Sequence, residues 1–86
     1  MKIKTELINF SAGLSLESGE KLDSFDLMVE SYGELNESKS NAILLCHAFS
    51  GNHHAAGENK ELGIGWWDQL VGPNKAIDTE KYYVVC

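Results

Sequence analysis

The densest group of chemically capable side chains in this 86-residue sequence is Cys46-His47-Ala48-Phe49-Ser50-Gly51-Asn52-His53-His54-Ala55-Ala56-Gly57, which holds all three histidines of the chain. Histidine can bind a metal, move a proton or orient a neighbour near neutral pH. A metal site is not expected here: adjacent histidines such as His53 and His54 point in different directions in most backbones, and no carboxylate or cysteine completes a ligand spacing. The default reading has His47 hydrogen-bonded within the loop while His53 and His54 shape its walls or face solvent. Substrate contact and loop ordering are the alternatives. None of the eight serines stands in a Gly-x-Ser-x-Gly context, so none is assigned as a nucleophile. Cys46 and Cys86 lie far apart in sequence, unlike the close pairs of zinc or redox sites, and no disulfide is expected between them.

The elements around this segment indicate where it sits. Ala42-Ile43-Leu44-Leu45-Cys46 is a short unbroken apolar run, the pattern of a strand buried on both faces of a parallel sheet. Tyr82-Tyr83-Val84-Val85-Cys86 repeats that pattern. Between them, Trp66 to Val71 is expected as a short helix with Trp67, Leu70 and Val71 on one side, stopped by Gly72-Pro73. The two tryptophans are expected as core anchors, with Asp68 capping or pairing locally. Strand, helix and strand then make a βαβ unit with a right-handed crossover. Upstream, Leu14 to Glu17 alternates, Ser18-Gly19-Glu20-Lys21 supplies turn chemistry, and Phe25 to Tyr32 runs extended with Phe25, Leu27 and Val29 on one face, which predicts a β-hairpin. The acidic residues from Glu17 to Glu37 are expected on a solvated surface. The fold class is α/β. A chain that stops on the last residue of a core strand is expected to be a piece of one larger domain covering residues 1–86.

Loops at the carboxyl ends of parallel strands are where open α/β sheets bind ligands. A loop of small residues there suits one task in particular, presenting a backbone N–H to an acyl group. In α/β-hydrolases a loop after the third strand supplies such a donor to the oxyanion hole, beside a second donor next to the nucleophile. Ala48, Ser50 and Gly51 leave the backbone accessible, and the Phe49 N–H is the expected donor.

Six stretches occur in a telling order: Leu16-Glu17-Ser18-Gly19, Tyr32-Gly33-Glu34-Leu35-Asn36, Ser40-Asn41-Ala42-Ile43-Leu44, the His47–Gly57 loop, Gly65-Trp66-Trp67-Asp68, and Gly72-Pro73 through Ala76-Ile77-Asp78-Thr79. Together they resemble the N-terminal region of the homoserine O-acetyltransferases, from about Leu14 onward. The double-histidine loop and the Trp-Trp-Asp segment are specific to that family rather than to α/β-hydrolases at large. Phe49 departs from the leucine expected at its position, which changes a side chain and leaves the backbone donor in place.

The resemblance implies the N-terminal part of an α/β-hydrolase fold, truncated before the nucleophile elbow. It implies a Ser-His-Asp triad lying outside this chain and ping-pong transfer from acetyl-CoA to L-homoserine in methionine biosynthesis. It further implies an oxyanion-hole donor at Phe49 and an active-site loop of His47, Ala48, Ser50, Gly51 and Asn52. The intact enzyme is expected to be a cytoplasmic homodimer with no bound cofactor, and this segment alone is expected to be inactive. A succinyl-CoA donor, a serine acceptor, or an esterase on the same fold remain alternatives, because this region holds few of the residues that would grip either substrate.

Composition narrows the remaining classes. At 43% hydrophobic and 23% charged residues the chain is of globular type rather than disordered. Thirteen acidic residues against seven lysines and no arginine give a net charge of -6, a field that repels phosphate backbones and argues against nucleic-acid binding. No apolar run approaches the roughly 18 residues of a membrane helix, so no membrane association is expected. A free-standing binding module of this size would bury only about 60% of its unfolded surface.

Overall fold

The computed structural model describes all 86 residues, Met1–Cys86. Ten strands follow in chain order: β1 (Ile3–Phe10), β2 (Leu14–Ser15), β3 (Lys21–Leu22), β4 (Phe25–Tyr32), β5 (Ala42–Leu44), β6 (Glu58–Asn59), β7 (Gly63–Ile64), β8 (Val71–Gly72), β9 (Ile77–Asp78) and β10 (Tyr83–Val85). Four of them build the main sheet in the order β1-β4-β10-β5. The remaining six form two-residue ladders in pairs, β2 with β3, β6 with β7, and β8 with β9.

The apolar runs pair as their composition predicts. β10 lies parallel to β5, with Tyr83 opposite Ala42, Val84 opposite Ile43 and Val85 opposite Leu44. The ladder continues past the strand ends, because the Leu45 N–H donates to the Val85 carbonyl at 2.7 Å. On its other side β10 runs antiparallel to β4, with Val84 opposite Tyr32. Glu30 and Cys86 exchange both backbone hydrogen bonds at 2.9 Å.

Two expectations are corrected. The turn at Ser18–Lys21 exists, but it closes only the short β2–β3 ladder. The partner of Phe25–Tyr32 is β1, antiparallel through all eight positions from Ile3 opposite Tyr32 to Phe10 opposite Phe25, where the two phenyl rings stack at 5.3 Å. The expected helix is absent. Trp66 to Leu70 forms a turn, with the Leu70 and Val71 N–H groups both donating to the Trp67 carbonyl. Three neighbouring N–H groups, those of Gly65, Trp66 and Trp67, are already bonded to carbonyls of the His54–Gly57 stretch. Gly72-Pro73 stops propagation a few residues later, so a costly helical nucleus has nothing to grow into. The parallel pair is therefore joined by turns and two-residue ladders rather than by a helix, and no helix is long and apolar enough to cross a membrane.

The core is small: Tyr32, Leu45, Ala55, Ala56, Val71 and Val84, with Ile43, Ile77 and Cys86 packed against it. Much apolar surface stays open. The accessible surface is 6421 Å², against about 5,000 Å² for a compact monomer of this mass, and the radius of gyration is 14.6 Å, against about 12 Å. The long β1–β4 ribbon, with Leu7 and Leu27 exposed, accounts for part of the excess.

Candidate functional site

The loop after β5 divides into two halves with opposite environments. From His47 to Asn52 every residue is exposed. A tight turn shapes this half, the Gly51 N–H donating to the Ala48 carbonyl at 2.8 Å. His47 lies within the loop as expected, its Nδ1 2.7 Å from the Ala48 carbonyl oxygen. The Phe49 side chain is fully exposed and its backbone N–H has no acceptor within the chain. A free N–H at the carboxyl end of a parallel strand has the form that an oxyanion donor requires.

From His54 to Ala56 the loop is buried. Alternation along β4 puts Glu30 and Tyr32 on one face of the strand, and both meet this half of the loop. Glu30 is 1% exposed and His54 3%. The Tyr32 hydroxyl donates to Glu30 Oε1 at 2.6 Å, and His54 Nδ1 lies 2.7 Å from the same oxygen. The Thr5 hydroxyl donates to Glu30 Oε2 at 3.0 Å. The Tyr32 oxygen in turn accepts the N–H groups of Ala55 at 2.8 Å and Ala56 at 3.2 Å. A tyrosine hydroxyl has one proton and two lone pairs, and here all three are used.

The protonation of His54 follows from its partners. Nδ1 faces a carboxylate oxygen and Nε2 faces the Gly63 carbonyl at 3.0 Å. Both partners only accept, so both ring nitrogens carry protons and His54 is an imidazolium paired with a Glu30 carboxylate. Burial alone would push the histidine pKa down. The hydrogen bonds to Glu30 and Gly63 and the Glu30 charge outweigh it and hold the pKa above its ordinary value. Burial alone would likewise raise the Glu30 pKa, and the hydrogen bonds from Tyr32, His54 and Thr5 bring it below its ordinary value. Burial, and then the Glu30 carboxylate, push the Tyr32 phenol well above its usual range.

This pair corrects two sequence-based expectations. His54 neither faces solvent nor forms a loop wall, and Glu30 is not on a solvated acidic surface. Glu30 and Thr5 were not singled out from the sequence, and Tyr32 entered only as the end of an extended run and the first residue of one stretch of the family resemblance. The one available signal was a glutamate two residues before a tyrosine on the same face of a strand.

The Trp turn clamps the loop from the other side. The Gly65 N–H donates to Gly57 O at 2.8 Å, Trp66 to His54 O at 3.3 Å and Trp67 to Ala55 O at 2.7 Å. The Trp66 indole donates to Asn52 O at 2.9 Å, at the junction of the two halves. Asp68 Oδ1 accepts the Gly57 N–H at 2.8 Å. That bond, ahead of the Lys75 charge, holds the Asp68 carboxyl below its usual range. Asp68 pairs with Lys75 at 3.6 Å, but its shorter bond reaches back to Gly57, so it ties the Trp turn to the loop rather than pairing only locally. Gly65 is required at its position, because a Cβ there would overlap the backbone of Ala55 and Ala56. The tryptophans are not core: they stack on one another at 5.3 Å and both stay partly exposed.

Below the exposed half of the loop, a groove of about 340 Å³ is lined mainly by apolar side chains, among them Leu27, Val29, Leu44, Leu45 and Val85, together with His47 and His53. Cys46 and Cys86 also line it as free thiols. No group of three or more His, Cys, Asp or Glu side chains is placed to hold a metal ion.

The four-stranded sheet is mixed rather than mostly parallel, with β1–β4 and β4–β10 antiparallel and only β10–β5 parallel; with its loop at a strand's carboxyl end it matches part of an α/β-hydrolase fold, and solved structures agree. The chain superposes with a TM-score of 0.87 on the esterase E22, at 37% identity, covering 98% of this chain and 23% of that one. It superposes with a TM-score of 0.86 on the homoserine O-acetyltransferase from Bacillus anthracis, at 41% identity over 100% of this chain and 23% of that one. No family model matches the chain.

Curated proteins carry the comparison further. The chain is 54% identical to the homoserine O-succinyltransferase of Saccharophagus degradans, over 98% of its own length and 23% of that protein's. It is 50% identical to the homoserine O-succinyltransferase of Psychrobacter arcticus, over 98% of its own length and 19% of that protein's. For the homoserine O-succinyltransferase of Neisseria gonorrhoeae the figures are 53%, 96% and 22%. The resemblance to the homoserine O-acyltransferase family thus holds along almost the whole chain, which spans about a fifth of the length of these relatives.

Proposed function

We propose that this segment works as part of an acyl-CoA-dependent homoserine O-acyltransferase, in which the His47–Asn52 loop supplies one oxyanion donor, the Phe49 N–H. The observation that carries this reading is the identity of 50–54% to homoserine O-succinyltransferases across the stretch that contains both the loop and the residues pinning it. The Phe49 N–H is free and exposed, as an oxyanion donor must be, a property it shares with the N–H groups of Ala48 and Ser50 on either side. His47, Ala48, Ser50, Gly51 and Asn52 line the approach to it.

In this mechanism a serine outside residues 1–86, activated by a histidine that an aspartate orients, attacks the thioester carbonyl of the acyl-CoA. Negative charge develops on the carbonyl oxygen, and the Phe49 N–H stabilises it together with a second backbone donor. Free CoA leaves, and the L-homoserine hydroxyl then takes the acyl group from the serine. Water exclusion is part of the task, since hydrolysis of the acyl-enzyme competes with transfer. The reaction is placed in cytoplasmic methionine biosynthesis, with no resident cofactor and a homodimeric enzyme.

The test is CoA release by the intact protein, given acetyl-CoA or succinyl-CoA with and without L-homoserine. Homoserine-dependent release with formation of the O-acyl ester is expected, and the preferred thioester identifies the donor. The likeness to the esterase E22 favours a second reading, ester hydrolysis. Hydrolysis of simple aryl esters with no homoserine-dependent CoA release would replace the first reading with the second.

A further inference from the structure

The exposed half of the loop has few bonds of its own, so something else must fix where the Phe49 N–H points. Its flanks are Cys46, just past the end of β5, and Asn52. On the Asn52 side the chain enters the buried half, whose fixed points are the Tyr32 hydroxyl on Ala55 and Ala56, and His54 held between Glu30 and Gly63. The Asn52 side chain joins the two halves directly, its Oδ1 accepting the His54 N–H at 2.8 Å. The Trp66 indole fixes the Asn52 carbonyl from the opposite side.

We propose that Glu30, Tyr32 and His54 are positioning residues for the oxyanion loop: the buried carboxylate–imidazolium pair and the tyrosine hydroxyl set the path of residues 52–57, and through Asn52 the orientation of the Phe49 N–H. This rests on the acyltransferase reading for its catalytic consequence, though not for its structural one. A core that needed only filling would take apolar residues here, since an ion pair buried this deeply is rarely better for stability than a well-packed apolar cluster. What an ion pair adds is direction. His54 has two donors along fixed lines, and Tyr32 gathers two consecutive amides onto one atom, so the loop backbone has a single arrangement that satisfies all of them. The titratable groups facing His54 are Glu30 and Tyr32 of β4 and, more remotely, Asp68 of the Trp turn, whose carboxyl responds to the His54 charge.

The test uses the intact protein with Tyr32→Phe, which keeps the ring and removes the hydroxyl, Glu30→Gln, which keeps shape and removes the charge, and Glu30→Asp as the conservative variant. Two readouts are taken. The first is amide hydrogen exchange at Ala55 and Ala56 and along residues 47–52, together with the melting temperature. In Tyr32→Phe, exchange at Ala55 and Ala56 should quicken about 10-fold or more. The second is the pre-steady-state acylation rate. In both Tyr32→Phe and Glu30→Gln it should fall about 10²-fold, the scale of a misplaced reacting group, with KM for the thioester nearly unchanged and partial recovery in Glu30→Asp. Folded variants with wild-type acylation rates and wild-type exchange at residues 47–57 would overturn the proposal. If the wild-type protein transfers no acyl group to homoserine, the acyltransferase reading fails, and the exchange data still decide whether these three residues set the loop.

Discussion

His54 and Glu30, 24 residues apart in sequence, meet at 2.7 Å inside the protein with almost no exposure to solvent. Their titrations act on stability in opposite directions. The His54 pKa is raised on folding, so its contribution is fully present below its unfolded pKa of about 6.5 and is lost as pH rises through the higher folded value. The Glu30 pKa is lowered on folding, so its contribution is present above its unfolded value of about 4.3 and is lost as pH falls through the lower folded value. The pair supports the fold best between these two unfolded values. Urea midpoints of the intact protein should fall from pH 6 to pH 9, and Glu30→Gln should flatten that limb. A wild-type midpoint independent of pH over this range would mean that folding leaves the His54 pKa unshifted, and a midpoint that rises would mean that His54 is neutral in the fold.

Removing one partner of a buried pair strands the other. His54→Ala should therefore destabilise the protein by about 3–5 kcal/mol, with Glu30 left in a site built for its ionised form. Denaturant unfolding of this variant beside His47→Ala checks the point, because His47 is exposed and its replacement should change stability by about 0.5 kcal/mol or less. Equal effects of the two substitutions would contradict the burial described for His54.

Gly65→Ala should be among the most damaging single-methyl changes in the chain. The added Cβ meets backbone atoms of Ala55 and Ala56, not the flexible end of a side chain, so the Trp turn must lift away from the loop. A loss of about 3 kcal/mol is expected, at the upper end of overpacking effects. Faster amide exchange at Trp66 and Trp67 should accompany it. Gly19→Ala separates the two kinds of cost: nothing lies within 4 Å of the Cβ position at Gly19, so any loss there comes from its left-handed backbone, φ 91°, and not from a clash.

Phe49 separates backbone from side-chain contributions. Its side chain touches solvent only, so Phe49→Leu should leave stability and acyl transfer nearly intact. Phe49→Pro deletes the N–H and should lower the acylation rate by about 10²-fold or more, the usual effect of losing one oxyanion donor. Near-normal acylation by a folded Phe49→Pro protein would remove the donor from Phe49.

The 86-residue chain in isolation should self-associate and show no acyltransferase activity. β5 is an edge of the sheet, Leu44 on it is 72% exposed, and no lysine, proline or bulge interrupts Ala42–Leu44 to discourage pairing with another strand. Size-exclusion chromatography across a concentration series measures this directly. A concentration-independent monomer with slow amide exchange along Ala42–Leu44 would show that the edge is protected.

Different physical signals made different parts of this structure legible. The parallel pairing of Ala42–Leu44 with Tyr83–Val85 was readable because two short apolar runs on either side of a long connection have few other arrangements. β1 was missed for the opposite reason. Its faces read Ile3, Thr5, Leu7, Asn9 and Lys4, Glu6, Ile8, Phe10, each mixing polar with apolar residues, because no residue of this edge strand is buried. The expected helix at Trp66–Val71 failed because a periodic pattern cannot reveal that the Leu70 carbonyl is taken by the Ile77 N–H and that Val71 leaves the turn to pair with Ile77 in the β8–β9 ladder. Glu30 escaped for a related reason: a charge in an acidic stretch reads as solvated until its tertiary partner is known.

Burying one half of the His47–Gly57 loop while leaving the other half exposed has a consequence for engineering. Positions 47–50 bear little of the fold, so they should accept broad substitution in a mutational scan scored for folding, whereas Asn52, which ties the two halves together, should not. Positions 54–56, along with Glu30, Tyr32 and Gly65, should appear as a nearly intolerant block in the same scan. A library confined to positions 47–50 would then sample new acyl-site geometries on an unchanged support.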